Sequence, residues 1–233
     1  CPSRLPRAGR VLRGVSGWGI GTIMRMLGIE TASEACSVAL FEDGVPIAHD
    51  HRVLGRGHAE QLVPMIAALP EKGRADAIRV SLGPGSFTGV RIGIATARAL
   101  AFAWQAELLG YPTLALVAAM ALAERREAVT VCATGGHGEW FVQDFAADGT
   151  ATCELQSLTP GAAAARPAHG QVAGSQAQAL ADRLAPGASI AQDLLPDARA
   201  IALLGSAHFT TSLAPIYGRA PDARLPGSPV APA

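Results

Sequence analysis

The residues with the most chemical potential are Gly83-Pro84-Gly85-Ser86-Phe87-Thr88-Gly89-Val90-Arg91. They follow a run at 77–82 whose Ile78, Val80 and Leu82 alternate as in a strand, and they open a helical pattern that extends to about residue 107. Three glycines and a proline between a strand and a helix build a turn whose backbone amides converge. Ser86 and Thr88 carry hydroxyls placed to cap the first helical turn. A helix start of this kind attracts anions through its free N–H groups and partial positive charge. Gly83, Gly85, Ser86, Thr88 and Gly89, with Thr31 from the turn after the first strand, therefore form a candidate anion or nucleotide loop. A tight strand-to-helix connection that binds nothing explains the same residues, and the pattern alone does not separate the two. It is not a P-loop, because no Lys-Ser/Thr follows the last glycine, and the dinucleotide-binding spacing is absent.

Other constellations are weaker. His58 opens a helical pattern but position 62 is Leu, so no second imidazole stacks four residues on. His49 and His51 share a strand face without a third ligand, and His137, His169 and His208 fall in turns or near helix ends. Ser86 lies on a strand-to-helix turn, yet Gly85 directly precedes it, so the Gly-x-Ser-x-Gly elbow fails. Glu30 and Glu34 imitate a carboxylate pair, and none of Asp43, Asp50 or Asp76 lies in a glycine-flanked motif suited to a phosphotransfer base. No catalytic residue and no metal ligand is assigned.

The elements that would hold these groups are legible in outline. Strand patterns at 26–29, 35–41 and 45–53 form a meander around the Asp43-Gly44 turn. Leu62, Ile66 and Leu69 then mark a helix, with Pro64 predicting a kink or a late start. In the helix after the glycine loop, Gly89, Gly93, Ala97 and Ala101 recur every four residues as a smooth stripe. That stripe suits either packing on the chain's own sheet or close approach of another helix. With His58, Leu62 and Ile66 it makes a candidate partner-binding surface, half of a four-helix interface. Beyond residue 108 the patterns give a helix at 113–123, a strand at 129–133, a turn at 135–138, and strands at 140–145 and 151–155 paired across Asp148-Gly149. A loop or frayed helix at 162–168 follows, then helices at 175–184 (Ser175 as N-cap) and 197–204. The reading is α/β in two unequal lobes with mixed sheets. Residues 1–23 are an extension, 24–107 a first lobe, 108–218 a second, and 219–233 a tail.

Composition limits the alternatives. The 233 residues are 49% hydrophobic, 16% charged and 5% aromatic, which excludes a disordered chain. No run of roughly 18 apolar residues escapes interruption by charge, so no membrane span is expected. The formal net charge is zero, but Arg4, Arg7, Arg10 and Arg13 all precede Met24. The remaining fifteen basic residues face nineteen acids, a net charge of −4. A mildly acidic body disfavours unaided grip on a nucleic-acid backbone. Residues 1–23 are expected to be an upstream extension, with Met24 as the natural start. Cys1, Cys36, Cys132 and Cys153 are widely spaced with no C-x-x-C, which fits a reducing cytoplasm.

Several blocks resemble the bacterial TsaB (YeaZ) family. They are Leu27-Gly28-Ile29-Glu30-Thr31-Ala32 with Cys36-Ser37-Val38-Ala39-Leu40, Arg56-Gly57-His58-Ala59-Glu60-Gln61-Leu62 with Pro64-Met65-Ile66, and above all residues 83–93. The resemblance is continuous from about Met24 to Pro112 and returns at Ala214-Pro215-Ile216-Tyr217. It implies an actin-like ATPase (ASKHA, ribonuclease H-like) fold. It also implies a cytoplasmic, non-catalytic accessory subunit in the synthesis of N6-threonylcarbamoyladenosine in tRNAs that read codons starting with A. Such a subunit pairs through its first-lobe helices with a TsaD-like catalytic paralogue, is joined by a TsaE-like ATPase, meets tRNA only through the complex, and homodimerises when alone. No cofactor is expected to bind tightly; weak ATP or ADP binding is the most the loop suggests. The alternatives are a stand-alone ASKHA-type nucleotide phosphotransferase or a glycoprotease-like peptidase. Two departures stand out: Glu30 replaces the usual Asp, and Ala133-Thr134-Gly135-Gly136 replaces an Asp-Ala-Arg segment.

Overall fold

A computed structural model of the chain describes residues 24–218. The expected extension at 1–23 and tail at 219–233 lie outside the described residues.

The first sheet has the order β3-β2-β1-β4-β5, built from β1 (Arg25–Glu30), β2 (Ala35–Glu42), β3 (Val45–Val53), β4 (Ala77–Ser81) and β5 (Glu107–Tyr111). The meander is antiparallel, with Leu27 opposite Leu40, whereas β1, β4 and β5 run parallel. Parallel strands need crossover connections. These are α1 (His58–Ala68) and α2 (Phe87–Trp104). β2 is buried over seven of its eight residues because α1 packs against it and a C-terminal segment also packs against it. β3 lies at the edge and is largely exposed. Pro64 sits within α1 as an exposed residue of an otherwise continuous helix.

β5 is an element the sequence pattern hides. α2 stops at Trp104, Gln105 turns into the left-handed region at φ 56°, and the strand begins two residues later. Glu107-Leu108-Leu109 prolongs the apolar periodicity, so the pattern reads as more helix. β5 therefore straddles the boundary expected between residues 107 and 108 and completes the first sheet.

The second sheet has the order β10-β9-β6-β7-β8, from β6 (Val129–Thr134), β7 (Trp140–Phe145), β8 (Gln156–Leu158), β9 (Gln171–Ala173) and β10 (Ile190–Gln192). Across the Asp148-Gly149 turn only Phe145 and Ala151 pair directly. The return strand rejoins β7 later, with Val142 opposite Gln156. The reason is Cys153, whose carbonyl and sulfur accept from Gln143 Nε2 and Asp144 N at 3.1 and 3.3 Å and hold a bulged excursion in place. α4 (Pro160–Ala165) is capped by Thr159, and α5 (Ala177–Ala181) is shorter than expected. Ser175 is not its N-cap; its hydroxyl instead accepts from Thr134 N at 2.9 Å at the end of β6.

Between the sheets runs α3 (Thr113–Glu124), buried on nearly all sides because both lobes lean on it. Its Leu114, Leu116 and Val117 share one core with Phe41 and Tyr111 of the first sheet and Val131, Phe141 and Phe145 of the second. Residues 198–203, expected as an α-helix, form a 3-10 turn that returns to the first sheet. There Ser37 Oγ accepts from Ala198 N at 3.0 Å, and Ile201 joins the shared core. Farther on, Ile216 N donates to Leu82 O at 2.7 Å. The described cysteines are free. Burial pushes the Cys36 thiol up to about 11 and that of Cys132 up to about 12, so both act as small hydrophobes.

Ile201 has no solvent exposure to speak of and links the returning segment to that core. Ile201→Ala should lower the free energy of unfolding by about 2–4 kcal/mol, the usual cost of a core truncation. Urea denaturation followed by circular dichroism measures it.

Candidate functional site

Parallel sheets present the carboxyl ends of their strands along one edge, and ligands collect outside that edge. In this chain those ends are Glu30, Ser81 and Tyr111 in the first sheet and Thr134 and Ala173 in the second. A cleft of about 930 Å³ lies between them, lined on one side by residues 32–34 and 84–87 and on the other by 133–137.

The glycine loop forms one lip of this cleft. Gly83 has φ +90° and precedes a cis proline. Ser86 N donates to Ala32 O at 2.7 Å, and Ser86 Oγ caps α2 by accepting from Gly89 N at 3.2 Å. Thr31 is fully buried and its Oγ1 donates to Gly89 O at 2.8 Å. A Cβ on Gly85 would stand 1.9 Å from Ala32 O, one on Gly89 2.2 Å from Thr31 O, and one on Gly93 2.3 Å from Thr31 Oγ1. All three glycines thus let the end of β1 sink into the first turns of α2. The structure brings Thr31, Gly83, Gly85, Ser86 and Gly89 together as expected, but their hydroxyls and close approaches are spent on packing. Thr88 does not cap the helix; it is an exposed residue of the first turn.

The same geometry corrects the expected partner surface. Gly89, Gly93 and Ala97 face the chain's own sheet, where Gly93 also meets Val80, and Ala101 is only partly exposed. Leu62 and Ile66 belong to the core under α1. His58 is 6% exposed, and its Nε2 reaches Ser33 O at 3.0 Å and Ala35 O at 3.3 Å, tying the start of α1 to the turn after β1. A small-residue stripe has the same sequence period whether it receives a strand end or a foreign helix, so only the tertiary contacts separate the two.

Glu30 occupies the strand end between the lobes without touching solvent. Its carboxylate accepts from Ala32 N at 2.8 Å and from the Tyr111 hydroxyl at 3.2 Å. Burial pushes the Glu30 carboxyl up to about 7, against the lowering effect of hydrogen bonds from Ala32, Ser81, Tyr111 and Thr31. Across the cleft, the segment that departs from the expected charged motif is held by neutral contacts: Thr134 Oγ1 meets Ser175 Oγ and accepts from Gln176 Nε2, each at 3.0 Å. Among the described residues no group of three or more His, Cys, Asp or Glu side chains is arranged to hold a metal.

Residues 52–190 match the family model described as TsaD, tRNA N6-adenosine threonylcarbamoyltransferase. In overall shape the chain is similar to a Pseudomonas aeruginosa protein described as uncharacterized with similarity to peptidase YEAZ. The TM-score is 0.70 at 30% identity, over 84% of this chain and all of that one. The chain belongs to the TsaD family, in its TsaB (YeaZ) branch. YeaZ from P. aeruginosa superposes with TM-score 0.69 at 28% identity over the same share of each chain. The tRNA threonylcarbamoyladenosine biosynthesis protein TsaB of Escherichia coli K12 is 43% identical over 100 residues, which are 41% of this chain and 43% of that protein. The protein of the same description from Haemophilus influenzae is 40% identical over 84 residues, 34% of this chain and 35% of that one. The chain therefore spans less than half the length of these curated TsaB relatives. With the YeaZ structures, the two mixed sheets establish the actin-like α/β fold.

Two measurements test this packing. Gly93→Leu places a branched side chain where Thr31 Oγ1 already lies, and should cost about 3 kcal/mol and lower the melting temperature of the chain rather than merely block a partner; near-native melting would contradict the buried stripe. Glu30 keeps its proton in the fold at pH values where the unfolded chain has lost it. Stability should therefore fall as pH rises from about 4.5 to about 7 and then level off, by up to about 3 kcal/mol. The lowered carboxyls of Asp144 and Asp197 act below that window. Glu30→Gln should flatten the profile between those pH values, as read by thermal melts across pH.

Proposed function

We propose that this chain is a non-catalytic accessory subunit in the synthesis of N6-threonylcarbamoyladenosine in tRNA, acting by heterodimerising with a TsaD-like catalytic subunit. The observation that carries this reading is the outward face of α1 and α2, which pack side by side. Phe102 is 88% exposed and Val63 55%, and around them Ala59, Ala67, Ala95 and Ala99 also face outward. Helices that turn large and small apolar residues to solvent together are suited to burial against a partner. The expected surface thus moves from the inner stripe to the opposite side of the same two helices.

The groups best placed for chemistry support an accessory role. Glu30 is sealed against Tyr111, His58 is engaged by two backbone carbonyls, and Ser86 caps a helix. Membership in the family supports a TsaD-like partner; a TsaE-like ATPase joining the pair, tRNA held by the assembly, cytoplasmic residence and homodimerisation of the lone chain through the same face complete the proposal. At the glycine loop, whose close approaches serve the strand end, weak binding of ATP or ADP is the most the proposal includes.

Val63→Glu combined with Ala99→Glu should weaken binding to a TsaD-like protein by a hundredfold or more, since each would bury an unpaired charge. Both sites are exposed, so the melting temperature of the chain alone should hold. Calorimetry of the mixture and reconstituted tRNA modification with and without the chain provide the readouts. Turnover by the lone chain, or a complex indifferent to both charges, would overturn the reading and favour a phosphotransferase or peptidase.

A further inference from the structure

β3 is the outermost strand of the first sheet, and its two halves differ. Near its start, Pro46 lacks an amide donor, and a register shift leaves Ile47 as the extra residue of a bulge between the pairs Phe41–Pro46 and Leu40–Ala48. A proline and a bulge are means by which an edge is kept from pairing. The second half carries neither, and its register with β2 is unbroken from Ala48 opposite Leu40 to Val53 opposite Ala35. Just beyond it, Leu54 N donates to Glu34 O at 2.9 Å and so points toward the β2 side. Backbone direction alternates along a strand, so the N–H and C=O groups of Val53, His51 and His49 point outward, where the described residues place no further strand. His49, Arg52 and Val53 are exposed.

The side chains on this open edge select what can pair with it. Asp50 and Arg52, two residues apart on one face, form an ion pair at 2.6 Å, and Arg52 Nη1 also donates to Gln61 Oε1 of α1 at 3.0 Å. We propose that the second half of β3 pairs edge to edge, antiparallel, with the same segment of a second copy of this chain, joining two first sheets into one. A twofold axis at His51 sets His51 opposite its counterpart, His49 opposite Val53 and Asp50 opposite Arg52. The outward groups then form the hydrogen-bonded pairs of the new ladder. Each Asp50 meets the Arg52 of the second copy in the closer, non-hydrogen-bonded positions. Moving the axis to His49 would set Asp50 opposite Ala48 and Arg52 opposite Pro46, losing both ion pairs and running the ladder into the bulge. Charge therefore fixes the register. It also favours self-association, because an antiparallel copy presents the opposite sign at each charged position while an unrelated strand does not. The surface is a strand edge rather than the outer face of α1 and α2, and the inference stands without the accessory-subunit reading.

The test follows sedimentation of the full chain over a concentration series, in a background of Val63→Glu and Ala99→Glu that places charge on the helix face. A dimer is expected. Asp50→Arg and Arg52→Glu, each added alone, should weaken it tenfold or more, since like charges then oppose each other across the axis. An equimolar mixture of the two variants should restore the dimer, because each copy then offers the charge that the other lacks. Loss of an ion pair this open to solvent costs the fold little, so both variants should keep the parent melting temperature. A chain that stays monomeric to millimolar concentration, a dimer that neither reversal weakens, or a loss that the mixture does not restore would overturn the proposal. Because no TsaD-like protein is present, these results are separate from the outcome of the helix-face test.

Discussion

The burial of Thr31-Ala32 in the first turns of α2 is the contact on which the rest of the molecule depends. A strand end reaches a helix this closely only if the facing helix positions carry no side chain. Gly89 and Gly93 in α2 meet that condition, as does Gly85 in the loop just before it, and any Cβ at the three would collide with atoms of Thr31 or Ala32. The Thr31 hydroxyl then closes the contact on Gly89 O, and Ser86 caps the helix whose start is thereby fixed. Helix, strand end and cis-proline turn form one unit at the edge where parallel strands ordinarily present a ligand site.

That constraint redistributes chemistry across the fold. Glu30, immediately before Thr31, is drawn into a dry position and held by Tyr111 at the end of β5, so a carboxyl at the strand end becomes part of the core. His58 is drawn against the turn after β1 by Ser33 and Ala35. The inner faces of α1 and α2 are consumed by the sheet, and their outer faces are left to solvent. Groups that read as reactive in isolation serve packing, while groups with little apparent chemistry, such as Phe102 and Thr113, are left exposed or unpartnered.

The two lobes are not independent bodies leaning together. α3 is shared between both sheets, and the segment after Asp197 returns to the first sheet through Ala198, Ile201 and Ile216. A chain division by sequence order therefore separates residues that one core unites. The membership in the TsaD family and the match to YeaZ are consistent with this arrangement being a property of the branch rather than of one chain.

The long elements were legible from the residues alone, because period and punctuation act locally. Alternation set β1 to β4, the Asp43-Gly44 turn set the hairpin, and spacings of three and four set α1 and α2. The specific string at 83–91, together with the blocks at 27–40 and 56–66, was enough to point to the family. The three-residue strands β8, β9 and β10 were not legible, since a period cannot be counted over so few residues, and β5 was masked by a helix whose apolar rhythm it continues. Nor could the sequence say which way the stripe Gly89-Gly93-Ala97 faced. A run of small residues records that something comes close, and only the tertiary contacts, with Thr31 and Val80 against those glycines, decide that it is the chain's own sheet.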